Sequence, residues 1–188
     1  MAEIKKYTAP ELIKRLTSLG FKSNGFNLIG VRSTASIPNK FDDDLYVINN
    51  NQIVVGPVTC TTNPGKDYLL APLNPKGAAV LVADKQYVDC FQLGLHKGKN
   101  AIIQCGSLLV FRDNDKDELS EEIGTPIVAG PECRIDIHQA NESWTSVIIG
   151  KWSAGCQVVA NPVDYLKVYT ECKNSKLPKF TYTLLKEF

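Results

Sequence analysis

Short runs of β-forming residues, each bounded by turn residues, constrain the fold of this chain more than any other feature. They begin near Phe26 and continue to the end of the chain, with turn clusters such as Asn49-Asn50-Asn51 and Asn63-Pro64-Gly65 between them. Many short strands at this spacing are typical of an antiparallel sheet, a sandwich or a barrel. The predicted strands cover residues 45–48, 52–59, 78–82, 86–95, 100–111, 133–138, 146–149, 157–159 and 180–185.

Two stretches instead have the pattern of short helices. Thr8 and Glu11 have the spacing of a capping box, and apolar residues at helical spacing follow up to Gly20. Asn161 and Pro162 begin a second helix that runs to about Cys172. With 188 residues the chain is long enough for one core. We therefore expect an N-terminal helical segment over residues 1–25 and a single mainly β domain, a sandwich or barrel with one or two short helices, over residues 26–188.

Charge and hydropathy exclude several classes of partner. The chain has 21 basic and 20 acidic side chains, so it lacks the basic excess of a nucleic-acid-binding protein. No run of 18 apolar residues is present, which excludes a transmembrane helix. The first residues lack the apolar region of a secretory signal peptide. We expect a monomer that is made in the cytoplasm, with no nucleic acid and no membrane span among its interactions.

The six cysteines predict free thiols. No Cys-x-x-Cys pair occurs and only two histidines are present, so we expect no metal site and no cofactor. The acidic run at residues 113–117 resembles the start of a calcium-binding loop. Glu118, however, occupies the position where that loop needs glycine, so a solvated acidic loop is expected.

Two segments carry residues suited to nucleophilic chemistry. In a strand over residues 133–138, Arg134, Asp136 and His138 would share one face. Cys156 follows small residues and a glycine, which allow a sharp turn that presents its thiol. His138 lies 18 positions earlier, and two antiparallel strands joined by a loop would bring it beside Cys156. A neighbouring base is what a thiol nucleophile requires.

His138 followed by Ser153-Ala154-Gly155-Cys156 resembles the active-site signature of L,D-transpeptidase (YkuD-like) catalytic domains. Other stretches resemble bacteriophage-encoded, cell-wall-lytic relatives of that family, and together they span residues 61–157. These stretches are Thr61-Thr62-Asn63-Pro64-Gly65, Gly94-Leu95-His96-Lys97-Gly98, Phe111-Arg112-Asp113, Ile137-His138 and Gly150-Lys151-Trp152-Ser153-Ala154-Gly155-Cys156-Gln157.

The resemblance implies a β-sandwich or barrel in which Cys156 is the nucleophile and His138 its base. Ser153 and Gly155 would shape the loop, and the N–H groups of Gly155 and Cys156 would bind an oxyanion. The sequence departs from the family pattern at Ala154, which replaces a histidine, and at Gln157-Val158, where an arginine or asparagine is common.

Three further residues are candidates for substrate binding. Arg134 would replace the missing positive charge or lie on the surface, and His96 would line the groove or occupy an exposed turn. Trp152 would stack on the substrate or anchor the core.

The resemblance implies a cysteine-dependent hydrolase of bacterial peptidoglycan stem peptides, of L,D-carboxypeptidase or endopeptidase type, like a phage endolysin. It would work through a thioester acyl-enzyme. We expect synthesis in the cytoplasm of the bacterial host and action on the periplasmic cell wall after release or injection. The alternatives are an L,D-transpeptidase that forms cross-links and a non-catalytic wall-binding or virion component that retains the fold.

Overall fold

The fold is mainly β. The computed structural model describes residues 4–35 and 37–188, and the elements below are those of the described residues. The α-helices are α1 Ala9–Ser18, α2 Lys66–Leu70 and α3 Pro162–Asn174. The strands are β1 Asn27–Arg32, β2 Asp43–Asn49, β3 Gln52–Thr61, β4 Ala78–Leu81, β5 Lys85–His96, β6 Lys99–Gln104, β7 Leu108–Asp113, β8 Ile127–Ala129, β9 Ile137–Gln139, β10 Gln157–Val159 and β11 Phe180–Lys186.

Eight of these strands form a closed barrel in the order β1-β11-β5-β6-β9-β10-β3-β2. The other three form a small antiparallel sheet in the order β4-β7-β8. Most neighbours in the barrel are antiparallel, but β1 pairs with β11 and β9 pairs with β10 in parallel. The predicted mainly β fold with an N-terminal helix and few short helices is confirmed.

Strand β1 shows how the sequence pattern divides the interior of the barrel from its outer face. Leu28 belongs to the barrel core, whereas Ile29 and Val31 pack outward in the cluster that contains α1. This division follows from the alternation of side chains along a strand. Gly30 lies on the inner side, where a side chain would overlap the hydroxyl of Tyr182. The glycine therefore leaves room for the large Tyr182 ring.

Helix α1 covers part of the outer face of the barrel. Glu11 accepts a hydrogen bond of 2.8 Å from the backbone N–H of Thr8, as the predicted capping box requires. Leu12 and Leu16 are fully buried against strand residues such as Tyr46. The N-terminal segment therefore shares an apolar core with the barrel. Among the described residues, no helix is both long and apolar enough to cross a membrane.

The predicted strand over residues 100–111 is in fact two strands. The N–H groups of Cys105 and Gly106 both donate to the carbonyl of Cys90, at 2.7 and 3.1 Å, and the chain turns there. As a result β6 joins the barrel and β7 joins the small sheet. The sequence prediction missed this break because apolar residues continue on both sides of it. It also missed the strands β1 and β8.

The predicted strands over residues 133–138 and 146–149 are also largely wrong. A 3-10 helix occupies Pro131–Cys133, Arg134 has a left-handed φ of 53°, and β9 begins only at Ile137. The Gln104 side chain accepts a 2.9 Å hydrogen bond from the N–H of Ile135, so this N–H is not available to a sheet. In residues 146–149 the pairing is a single bridge between Ile148 and Lys40.

Candidate active site

The candidate site lies where β5, β9 and the loop before β10 meet. His138 pairs with Val158 in the parallel β9–β10 ladder, so the expected antiparallel arrangement is wrong. The chain between these strands crosses over and returns through the loop that ends at Cys156. A ring nitrogen of His96, a ring nitrogen of His138 and Cys156 Sγ all lie within 4.8 Å of one another. The fold thus brings together the thiol and both histidines of the chain.

Ser153 and Gly155 determine the shape of the cysteine loop. The buried Ser153 hydroxyl donates to the carbonyl of Cys156 at 2.8 Å and accepts from the N–H of Gly155 at 3.2 Å. Gly155 has a φ of 130°, and a Cβ there would lie 2.6 Å from the carbonyl oxygen of Ala79. Only glycine fits this close approach. The N–H of Gly155 is engaged inside the loop, so it is not open to a substrate oxyanion as we expected.

Cys156 itself is buried, with 8% of its surface exposed, and not on an exposed turn as its small neighbours suggested. Its thiol donates to the carbonyl oxygen of Arg134 at 3.3 Å. Burial raises the pKa of the Cys156 thiol to about 12. The resting side chain is therefore a protonated thiol.

His138 carries an unprotonated nitrogen in a buried position. Its Nδ1 lies 2.8 Å from the carbonyl oxygen of Gln139. A carbonyl oxygen only accepts, so Nδ1 bears the proton and Nε2 holds a lone pair. Nε2 is buried and has no hydrogen-bond partner among the described residues. Burial, together with the nearby His96 and Lys97, lowers the pKa of His138 to about 4, so the ring is neutral at pH 7.

His96 is held by a buried carboxylate to which the sequence prediction gave no role. Its Nδ1 lies 2.7 Å from Oδ2 of Asp136, which is fully buried. Burial would raise the pKa of Asp136, but hydrogen bonds from His96, the N–H of Gln104 and Arg134 lower it overall. Asp136 is therefore ionised and accepts the Nδ1 proton. The His96 ring stacks on His138 with centroids 4.3 Å apart.

Arg134 supports the site from outside. Its guanidinium donates to Asp136 Oδ2 at 3.0 and 3.1 Å and to the carbonyl of Leu95 at 2.7 Å. It thus joins the end of β5 to Asp136. These contacts use the Nε and Nη2 groups of the side chain that we expected to meet a substrate carboxylate. The shared polar face predicted for Arg134, Asp136 and His138 exists, although a regular strand does not produce it.

Gln157 explains one departure from the family pattern. Its side chain is buried, accepts a 2.8 Å hydrogen bond from the Tyr182 hydroxyl and donates to the carbonyl of Gly155 at 3.2 Å. The residue after the cysteine thus ties the loop to β11 in the barrel interior. The sequence alone gives no signal for this contact, because Tyr182 is 25 positions away.

Two cavities flank the three groups. The histidine-side cavity, about 150 Å³, is lined by residues that include His96, His138, Lys97, Lys151 and Trp152. The cysteine-side cavity, about 420 Å³, is lined by residues that include Cys156, Ala154, Arg112, Arg134 and Tyr68. Trp152 is 42% exposed, so it is a wall of the first cavity and not a core anchor. Ala154 occupies a wall position in the second cavity, where the family pattern has a histidine.

The acidic run at residues 113–117 is separate from this site. Within the described chain, Asp115, Asp117 and Glu121 form an exposed acidic group. Hydrogen bonds inside the loop join Asp117 N–H to Asp115 and Leu119 N–H to Asp117. β7 precedes the run and ends at Asp113, so no helix precedes it as in a helix–loop–helix calcium site.

No protein-family model, no curated protein and no solved structure matches this chain.

Proposed function

We propose that this protein is a cysteine-dependent hydrolase of peptide bonds in bacterial peptidoglycan stem peptides. The observation that carries the proposal is the convergence of a thiol and an unprotonated imidazole nitrogen that has no partner among the described residues, at a place flanked by two cavities. The carbonyl of Gln139 fixes the ring of His138, as the third group of a catalytic triad does. The choice of peptidoglycan as substrate comes from the sequence resemblance, and the geometry supports the acyl-transfer chemistry.

In the free protein the Cys156 thiol and the His138 ring are both neutral, and this determines how the first step of the reaction begins. His138 Nε2 takes the thiol proton as Cys156 Sγ attacks the substrate carbonyl carbon, so the thiolate forms only during attack. The thiol must first turn away from the carbonyl of Arg134. The hydrogen bond between a nucleophile and its base is often long in a free enzyme and shortens when substrate binds. The ionised Asp136 carboxylate favours the imidazolium that results.

The later steps return the proton. The imidazolium of His138 donates it to the leaving amine as the C–N bond breaks, and a thioester on Cys156 remains. Water, deprotonated by His138, then attacks the thioester and releases the acid and the free thiol. An acceptor amine in place of water would instead give the cross-linking reaction of a transpeptidase.

The charges around the groove agree with an anionic peptide. Lys97 and Lys151 are exposed side chains on the rim of the histidine-side cavity. Stem peptides carry free carboxylates, which such lysines attract. Arg134 is engaged with Asp136 and the carbonyl of Leu95, whereas His96, whose Nδ1 proton goes to Asp136, has at Nε2 a lone pair that can accept a hydrogen bond from a substrate.

One observation favours the non-catalytic alternative. The N–H of Gly155 and the thiol of Cys156 are both engaged inside the protein, which is the arrangement of a closed, purely structural loop. A wall-binding protein with this fold would retain sacculus binding when Cys156 is replaced and would release no muropeptides in any form.

Digestion of purified sacculi distinguishes the two functions. We expect the wild-type protein to release muropeptides that mass spectrometry identifies, and Cys156→Ala to release none while it still binds sacculi. Cys105→Ala is the matched control, because Cys105 is a free, half-buried cysteine away from the site. Equal turnover by Cys156→Ala and wild type would contradict the thiol mechanism. The rate at which Cys156 is alkylated cannot replace the digestion assay, because a buried thiol with a raised pKa reacts slowly before substrate binds.

A further inference from the structure

The side chains of His96, His138 and Cys156 form a set of metal ligands. They come from the end of β5, from β9 and from the loop before β10, and one ligand atom of each lies within 4.8 Å of the others. Two imidazoles and one thiolate are ligands typical of zinc. Tetrahedral zinc places its nitrogen and sulfur ligands roughly 3.4–3.6 Å apart. The His96 and His138 rings are stacked with 13° between their planes, and the lone pair of each Nε2 lies in its ring plane, so metal binding requires the rings to turn out of this stack.

The surroundings of both histidines match those of zinc-bound histidines. A ligating histidine almost always donates its other ring N–H to a carboxylate or a backbone carbonyl. His96 Nδ1 is bound by the Asp136 carboxylate at 2.7 Å, and His138 Nδ1 by the carbonyl of Gln139 at 2.8 Å. Asp136 is in turn fixed by the N–H of Gln104 and by Arg134. Both rings are therefore held in the tautomer that leaves Nε2 for a metal.

A second, independent observation points to a ligand at this place. His138 Nε2 is buried, and no described residue is its hydrogen-bond partner, although a buried nitrogen without a partner costs free energy. His138 as a whole is 8% exposed, while the histidine-side cavity beside it leaves an approach from solvent. A cation at the centre of the three groups would satisfy this nitrogen.

We propose that His96, His138 and Cys156 together bind one zinc ion, with a fourth position open to water at the groove. The thiol proton leaves to solvent when Sγ coordinates the metal. The thiolate and the Asp136 carboxylate then balance the two positive charges. Zinc binding occupies both Sγ and His138 Nε2, so it masks the nucleophile; this masking rests on the proposed thiol function, whereas the binding does not.

Cobalt(II) tests the binding directly. The full chain, treated with EDTA and desalted, is titrated with Co²⁺, and we expect a thiolate-to-cobalt charge-transfer band that saturates at one equivalent and disappears when Zn²⁺ is added. Cys156→Ser should lose this band, and His96→Ala should weaken Co²⁺ binding at least tenfold. Cys105→Ser and Asp115→Ala are matched controls, a second free cysteine and the exposed acidic loop, and both should behave like wild type.

Several outcomes would overturn the site. These are no charge-transfer band at excess Co²⁺, a band that persists in Cys156→Ser, and a band that is lost in Asp115→Ala. Circular dichroism of each variant separates loss of metal from loss of the fold.

Sacculus digestion with and without metal tests the masking. One equivalent of Zn²⁺ should suppress muropeptide release, and EDTA should restore it. Release that requires Zn²⁺ would contradict masking and make the metal part of the reaction. No release in either state would contradict the proposed hydrolase function, while the cobalt spectrum would still decide the metal site.

Discussion

Asp43 and Asp136 are two buried aspartates in contrasting surroundings. Asp43 accepts hydrogen bonds from the N–H of Ser33 at 2.8 Å and from the N–H and hydroxyl of Thr62 at 2.6 and 2.8 Å. Thr62 in turn accepts from the Arg32 guanidinium, and Arg32 also pairs with Glu122. Each of these groups has a partner, and together they join the ends of β1, β2 and β3.

Asp136 is equally well paired, but the network around it ends at two stacked imidazole rings that lie beside a cavity. The His96 ring that it holds stacks on His138, whose Nε2 has no partner among the described residues. The pKa values differ as well. Burial raises that of Asp43 despite Arg32, whereas hydrogen bonds from His96, Gln104 and Arg134 overcome burial and lower that of Asp136. The Asp43 network is closed because each of its groups has a partner, whereas the Asp136 network leads to a buried nitrogen that has none among the described residues.

The largest expected effect is on catalytic rate and tests His138, at the edge of the Asp136 network. His138→Ala should lower the rate of muropeptide release by roughly 10²–10⁴, the usual contribution of a general acid–base. The free energy of unfolding should change by only about 1–3 kcal/mol, because the ring loses one hydrogen bond, to the carbonyl of Gln139, while its Nε2 has no partner among the described residues. Initial rates and urea unfolding measure the two quantities. Lys14→Ala, an exposed change on α1, is the control, and a rate within threefold of wild type would rule out His138 as the base.

The second largest effect is on stability and tests the Asp43 network. Asp43→Ala should cost about 3–5 kcal/mol of stability, because it leaves two backbone N–H groups and the Thr62 hydroxyl without their acceptor and removes the negative charge near Arg32. Urea unfolding measures it, with the exposed Asp115→Ala as control. A loss below about 1 kcal/mol would show that water replaces the carboxylate and that the network is less closed than its contacts indicate.

Asp136→Asn should have a smaller effect on stability, about 1–3 kcal/mol, since the amide keeps the bond from the N–H of Gln104 and loses acceptance from His96 and Arg134. It should also weaken Co²⁺ binding about 10–100-fold, as loss of the partner of a ligating histidine does. Asp43→Asn is the paired control and should leave Co²⁺ binding unchanged. Unchanged Co²⁺ binding by Asp136→Asn would mean that Asp136 does not position His96.

The smallest effect concerns Asp42, beside the closed network. Burial and the charge of Asp43 raise the pKa of Asp42 to about 6. The folded state therefore holds this proton more tightly than the unfolded chain, whose aspartate pKa is about 3.9. Stability from Asp42 is present below about pH 4 and is lost as pH rises through about 6. Asp42→Asn should flatten the pH dependence of urea unfolding in this window, and an unchanged slope would contradict the raised pKa.

The sequence predicts local structure better than it predicts the site. Helix α1 follows from a capping box and apolar spacing, and most strands follow from short β-rich runs between turns. The parallel pairing of β9 with β10 does not follow, because the pattern of one strand carries no information on the direction of its partner. The same limit explains why ligand spacing gave no signal for the metal site proposed above: His96, His138 and Cys156 come from three separate elements.

Asp136 shows a second limit. Its position between Ile135 and Ile137 identifies the face that it shares with Arg134 and His138, but its burial depends on Gln104 and His96, 32 and 40 positions earlier. The resemblance implied that Cys156 and His138 act together, and the fold brings the two side chains close to each other. It did not reveal that both are buried, because burial depends on how the barrel closes around them.

The bond between Gln157 and Tyr182 has a consequence for the order of biosynthesis. β11 lies between β1 and β5 in the barrel, so the barrel cannot close until the last strand has been made. The same strand carries the tyrosine that anchors the residue after Cys156. A nascent chain that still lacks residues 180–186 therefore holds all three ligand residues without their final arrangement. The candidate site should mature only after residues 180–186 have left the ribosome.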